Sequence, residues 1–226
     1  FLILLCFAPL FLKAQLWPGN LGRAIVNVDF GAGRGTALAS GETFYKFTSR
    51  CPNPGEYSIE HFLFGCAGGS WVQMVGDHTG DHDGNYMLVN AAGKPGAVFQ
   101  RTIDGLCGGT TYQLSAFIST ALNALACSGR PELPNLTITI ENTSGDVLAS
   151  TNTGDIPVAD GKTFKEYGTY YTMPAVPVPL VIKISSNGTA ACGNAFLVDD
   201  ITLKAAGPAV QVKVNGADNT DVNVCV

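Results

Sequence analysis

The sequence predicts an all-β protein, an antiparallel two-sheet sandwich of the jelly-roll kind. Three observations predict it. Between residues 24 and 204, short apolar or alternating runs recur, each closed by Gly, Asn, Asp or Pro, the signature of strands joined by turns. No window of twelve residues there carries a helical period of apolar side chains. Only 14% of the 226 residues are charged, and 27 are glycine, a composition unlike coiled coils or helical bundles.

The expected strands follow in order: 24–30, 43–49, 57–63, 71–75, 86–90, 97–103, 111–119, 136–141, 147–150, 164–172, 180–185 and 196–203. Ile138 and Ile140 alternate with Thr137 and Thr139, as in a strand with one buried face. Val181, Ile182 and Ile184 form a denser apolar strand. The segment STALNALAC, 119–127, reads as at most one helical turn inside a loop.

The ends read differently. Residues 2–12 are an apolar run broken only by Pro9, too short to cross a bilayer and followed by small and polar residues. This is the pattern of a secretory signal peptide, with cleavage expected after Ala14. The tail AVQVKVNGADNTDVNVCV resembles the opening strand of a second β domain, cut short here. The expected organisation is therefore a signal peptide over 1–14, a sandwich over 15–208, and the start of an Ig/PKD-like domain over 209–226. After cleavage no membrane insertion is expected.

Export gives the cysteines a role. Cys51, Cys66, Cys107, Cys127, Cys192 and Cys225 become disulfide candidates, and no CxxC pair points to a zinc knuckle. Sequence does not select one connectivity. Loop position favours Cys51–Cys66, which flank a possible hairpin, and Cys127–Cys192, both in Gly- or Ala-rich loops. Cys225 is expected unpaired within this chain.

Charge and motifs exclude several functions. A net charge of -5 and a pI near 5.1 argue against a nucleic-acid binder, which needs a basic face. There is no GxSxG, HExxH or phosphate-cradling glycine loop. Glu56, Glu60, Glu132, Glu141 and Glu166 offer carboxylates, but no spacing singles out a pair for glycoside hydrolysis. A non-catalytic protein is expected.

Two acidic features are candidates for a cation. The run Asp77-His78-Thr79-Gly80-Asp81-His82-Asp83-Gly84-Asn85 offers Asp77, Asp81 and Asp83, and echoes part of a calcium loop without its closing Glu. It reads equally as a solvated turn. In Val198-Asp199-Asp200-Ile201, two adjacent carboxylates on a strand face opposite sides, so one points inward. Asp29 ends the first long strand, and first and last strands are often neighbours in a jelly roll. A structural Ca²⁺ held by Asp29, Asp199 and Asp200 would neutralise the inward carboxylate; each Asp capping a turn is the other reading. Among the aromatics, Trp71, Tyr86, Tyr167 and Tyr170 are candidate platforms for a sugar ring. The alternation in Tyr167-Gly168-Thr169-Tyr170-Tyr171 sends at least one tyrosine outward.

A longer series of motifs carries a resemblance. It runs GDHTGDHDGNYMLVNAAGKPGAVFQRTIDGLCGGTTYQLSAFI, RPELPNLTITIENTSGDVLASTNTGDIP, FKEYGTYYTMP and CGNAFLVDDITL. The series resembles the MAM-like and galactose-binding-like jelly-roll modules of large secreted surface proteins of gliding bacteria. Such proteins carry PKD- or Ig-like repeats and a type IX secretion signal. The resemblance implies a secreted or cell-surface adhesion module that recognises a glycan or a surface protein, joined to further domains of a longer chain. It also implies calcium at Asp29, Asp199 and Asp200. Two positions depart from the pattern. Phe164 stands where a Trp is expected, and the Cys expected after the DDIT strand is missing from Lys204-Ala205-Ala206-Gly207-Pro208, so Cys107 is expected to lack its usual partner. A carbohydrate-binding module appended to a secreted hydrolase, and a structural spacer, are the alternatives.

Overall fold

The computed structural model describes residues 16–207 in full and residues 213–214 and 217–218 by their backbone. The expected signal peptide and Cys225 lie outside the described residues, as does most of the expected second domain. Within 209–226 two short strands, β14 (Lys213–Val214) and β15 (Ala217–Asp218), pair antiparallel.

The earlier strands are β1 (Leu21–Val28), β2 (Lys46–Phe47), β3 (Glu56–Glu60), β4 (Phe62–Leu63), β5 (Met74–Val75), β6 (Tyr86–Asn90) and β7 (Gly96–Ile103). They continue as β8 (Thr111–Thr120), β9 (Asn135–Asn142), β10 (Val147–Asp155), β11 (Lys165–Thr172), β12 (Leu180–Ser186) and β13 (Ala195–Ala206). Helical structure among the described residues is confined to two 3₁₀ turns, Cys66–Gly69 and Ala126–Gly129. The protein is the all-β, two-sheet sandwich the sequence predicts.

One sheet has the order β11-β8-β13-β6-β3-β2, with β1 also paired to β13; the other has the order β10-β9-β12-β7. Pairing is antiparallel except for β2 with β3. Period-2 patterning sets which side chains enter the core. Leu136, Ile138 and Ile140 on β9 and Leu180, Ile182 and Ile184 on β12 face inward from the smaller sheet. They meet Met87, Val89, Leu114, Ile118, Phe196 and Val198 of the larger one.

β13 lies between two neighbours along most of its length. β8 flanks one edge, while β6 and then β1 share the other. At the handover the ladder is irregular between Asp199 and Thr202, and Asp200 has a left-handed φ of 45°. The adjacent acids of VDDI thus sit on a bulge.

The outer face of the larger sheet is covered over part of its area. The excursion between β3 and β6 lays Leu63, Cys66, Trp71, Val72 and Met74 over Tyr86, Leu88, Ala195 and Leu197, forming a second apolar core. Disulfides Cys51–Cys66 and Cys127–Cys192 brace this region, and both pairs are those expected from loop position. Cys107 is disulfide-bonded too.

Candidate functional site

The fold brings the two acidic sequence features together. The His78 backbone N–H donates to Asp199 Oδ2 at 2.8 Å, and His78 Nδ1 lies 2.7 Å from Asp200 Oδ2. The His78 ring stacks on Phe117, with centroids 3.5 Å apart. Asp77 is buried and accepts the Thr79 hydroxyl and the N–H groups of Gly80 and Asp81. Asp199 is fully buried and also accepts the Asp200 N–H, on its other oxygen. Burial, with the Asp200 and Asp77 charges adding to it, pushes the Asp199 carboxyl up to about 7, against the two N–H donors that favour its ionised form.

The inward carboxylates are thus satisfied by N–H and O–H donors. Asp29 is exposed, and its carboxylate accepts from Asn27 and from the Gly31 N–H. Asp81 and Asp83 are exposed, and Asp83 pairs with His82 at 3.2 Å. Among the described residues no group of three or more His, Cys, Asp or Glu is arranged to hold a metal ion.

Three of the four expected aromatic platforms are buried, and the fourth is partly covered. Tyr86 is 0% exposed beneath the excursion, and Tyr167 lies in the main core. Trp71 is buried in the second core and reaches only the wall of a depression of about 190 Å³ beside Cys127 and Cys192. Tyr170 points outward as the alternation requires, but is half-buried with Trp17 edge-on to it, centroids 5.3 Å apart. The physical reason is shared by Tyr86 and Tyr170: each faces the outer side of a strand, and another stretch of chain covers it there.

Under the excursion, Ser58 Oγ, Glu60 Oε1 and Tyr86 Oη are buried with no hydrogen-bond partner within bonding geometry among the described residues. Ser58 and Glu60 share one face of β3, and Tyr86 stands directly opposite Glu60. Burial raises the pKa of Glu60, while Ser58, Arg50 and His61 lower it. Burial also raises that of Tyr86, and the Glu60 charge adds to it.

An open depression of about 290 Å³ lies elsewhere, lined by Phe44, Lys46, Pro54, Glu56, Lys94 and Pro95. Phe44 is 73% exposed, unusual for a ring held on ordered backbone. Its N–H is fixed to the Ala97 carbonyl at 3.0 Å, and its ring lies against Gly96, where a Cβ would sit 3.4 Å from it. Lys46 and Glu56 are cross-strand partners 3.7 Å apart. The Asn53 backbone N–H, then its side-chain amide, hold the Glu56 carboxyl below the usual range, and Lys46 adds to this. The Tyr45 hydroxyl donates to the Lys94 carbonyl, and the Lys94 methylenes cross Gly55, where a Cβ would come within 3.3 Å. Neither Phe44 nor this cluster was singled out from sequence. Phe44 falls in the run 43–49, which reads as one regular strand, whereas the chain is regular only at β2.

No family model matches the chain, and no curated protein matches it. Solved structures do. An apo cyclase from Fischerella sp. aligns over 82% of this chain and 91% of its own, with a TM-score of 0.50 and 16% identity. A Stig cyclase from Fischerella sp. TAU aligns over 69% and 76%, with a TM-score of 0.47 and 16% identity. A structure described as "CBM4 structure and function" aligns over 68% and 88%, with a TM-score of 0.39 and 17% identity. At such identity the cyclase likeness shows the fold alone, and the matches below 0.5 add nothing on function. The function therefore has to be argued from this chain's own residues.

Proposed function

We propose that the chain is a non-catalytic extracellular binding module that holds a glycan in the Phe44 depression. The observation that carries this reading is an exposed aromatic ring fixed by backbone contacts and ringed by polar groups. A sugar ring presents an apolar C–H face that stacks on such a ring, while its hydroxyls need both donors and acceptors. Lys46 and Lys94 supply donors, and ionised Glu56 supplies acceptors. Backbone hydrogen bonds and the glycine contacts hold these groups in place before any ligand arrives, which lowers the ordering cost of binding.

The extracellular part of the reading is supported by the disulfides, which persist in oxidising compartments. Among the described residues no helix is long and apolar enough to cross a membrane. Adhesion at a bacterial surface is the role we assign to such a module. The alternative, a module appended to a hydrolase, differs in the neighbouring domain and shares the same pocket.

A glycan array followed by calorimetric titration of the best hit tests the proposal. Phe44→Ala is expected to weaken binding at least about tenfold, or about 1.4 kcal/mol, with the melting curve unchanged because the ring is exposed. A blank array removes the reading in favour of a spacer, and unchanged affinity in the variant moves the site away from Phe44.

A further inference from the structure

The depression also has a charge preference. The chain as a whole is acidic, at -5, yet the groups around Phe44 are two lysines and one glutamate. The charge of the glutamate is already paired, while its Oε1 keeps room to accept from a ligand hydroxyl. Its Oε2 accepts the Asn53 N–H at 3.1 Å and the Asn53 side-chain amide at 3.0 Å, and its Oε1 faces Lys46. Lys94 forms no ion pair among the described residues, so its charge is left for a ligand. Its position is set twice over, by the Tyr45 hydroxyl on its carbonyl and by the passage of its methylenes over Gly55. Pro95 follows it and Gly96 lies beneath Phe44, so ammonium and ring are presented by one short stretch of backbone. The site therefore combines an aromatic face, a cation beside it, and a carboxylate acceptor for a hydroxyl.

Resting on the glycan reading above, we infer that the depression selects sugars bearing a carboxylate, the hexuronates. The ring of the sugar stacks on Phe44, its carboxylate meets Lys94, and a ring hydroxyl donates to Glu56. A neutral hexose can make the first and third contacts but leaves Lys94 unpaired.

The test compares galacturonate and glucuronate oligomers with their methyl esters, which keep ring, linkage and stereochemistry and remove only the charge. Calorimetry on the full chain in low salt is expected to give at least about tenfold tighter binding for one of the acids than for its ester. The gap should shrink in 0.5 M salt (roughly a threefold shorter screening length than at 0.05 M). Lys94→Gln is expected to erase the gap, so that acid and ester bind that variant equally, and Lys94→Arg to restore it. Equal affinity for acid and ester overturns the inference and leaves the glycan reading standing, as does an array that shows only neutral glycans. A blank for every glycan overturns both. An acid preference that survives Lys94→Gln overturns the assignment to this pocket.

Discussion

Asp199 illustrates how a single residue can be well bonded and still work against the fold. Two N–H groups grip its carboxylate, but full burial beside Asp200 and Asp77 raises its pKa from 3.8 to about 7. Because the folded value exceeds the unfolded one, the folded state binds more protons between pH 4 and 7. The contribution of Asp199 to stability is therefore full below about pH 4 and is lost as the pH rises through that window. Asp199→Asn is expected to remove this slope. It should also lower stability at pH 4 by about 1–3 kcal/mol, because the amide NH₂ faces an N–H donor that loses its acceptor. Urea unfolding of both proteins at pH 4, 5.5 and 7.5 measures the difference. Parallel profiles would mean that Asp199 does not titrate in this range.

At the level of elements, the excursion between β3 and β6 turns a sheet face that would meet water into a second core. Two covalent ties hold the region. Cys51–Cys66 closes 15 residues and Cys127–Cys192 closes 65, which by chain entropy gives about 3 and about 4 kcal/mol. The double variant Cys127→Ser, Cys192→Ser is expected to lose about 2–4 kcal/mol in urea unfolding, and more than Cys51→Ser, Cys66→Ser. The reverse order would show that the excursion depends on the shorter loop. The strands themselves were legible, because Ile138, Ile140, Ile182 and Ile184 carry the period of a half-buried sheet. The covering of Tyr86 was not, because alternation distinguishes two faces but does not say which is wet. Nor was the meeting of His78 with Asp199 and Asp200, which depends on β6 and β13 pairing across more than a hundred residues. Phe44 escaped notice because its exposure comes from irregular backbone that has no sequence period.

Across the whole molecule, β13 is the strand on which everything else depends. It starts beside the depression: Ala195 faces Asn90, Asn90 faces Glu56, and Glu56 faces Lys46. It ends where the described chain enters and leaves, with Ala206 opposite Leu21 and the Gly207 N–H on the Asn20 carbonyl at 2.9 Å. Eleven steps of about 3.3 Å separate those ends by roughly 35 Å, so Phe44 lies towards the end of the sandwich away from Asn20 and Gly207. The same strand is hydrogen-bonded on both edges and covered on both faces over most of its length, so its amides cannot be freed by fraying one neighbour. β10, at the rim of the smaller sheet, has one hydrogen-bonded neighbour and a single buried residue, Thr151. Hydrogen exchange is therefore expected to be slowest in Phe196–Val198 and Thr202–Leu203, with the free energy of global unfolding, and much faster in β10 by local opening. Denaturant should accelerate the first group steeply and leave the second nearly unaffected. If β13 amides exchanged as fast as those of β10, the sheet would open along its centre, and the docking of β1 and the excursion onto β13 would not be what closes the fold.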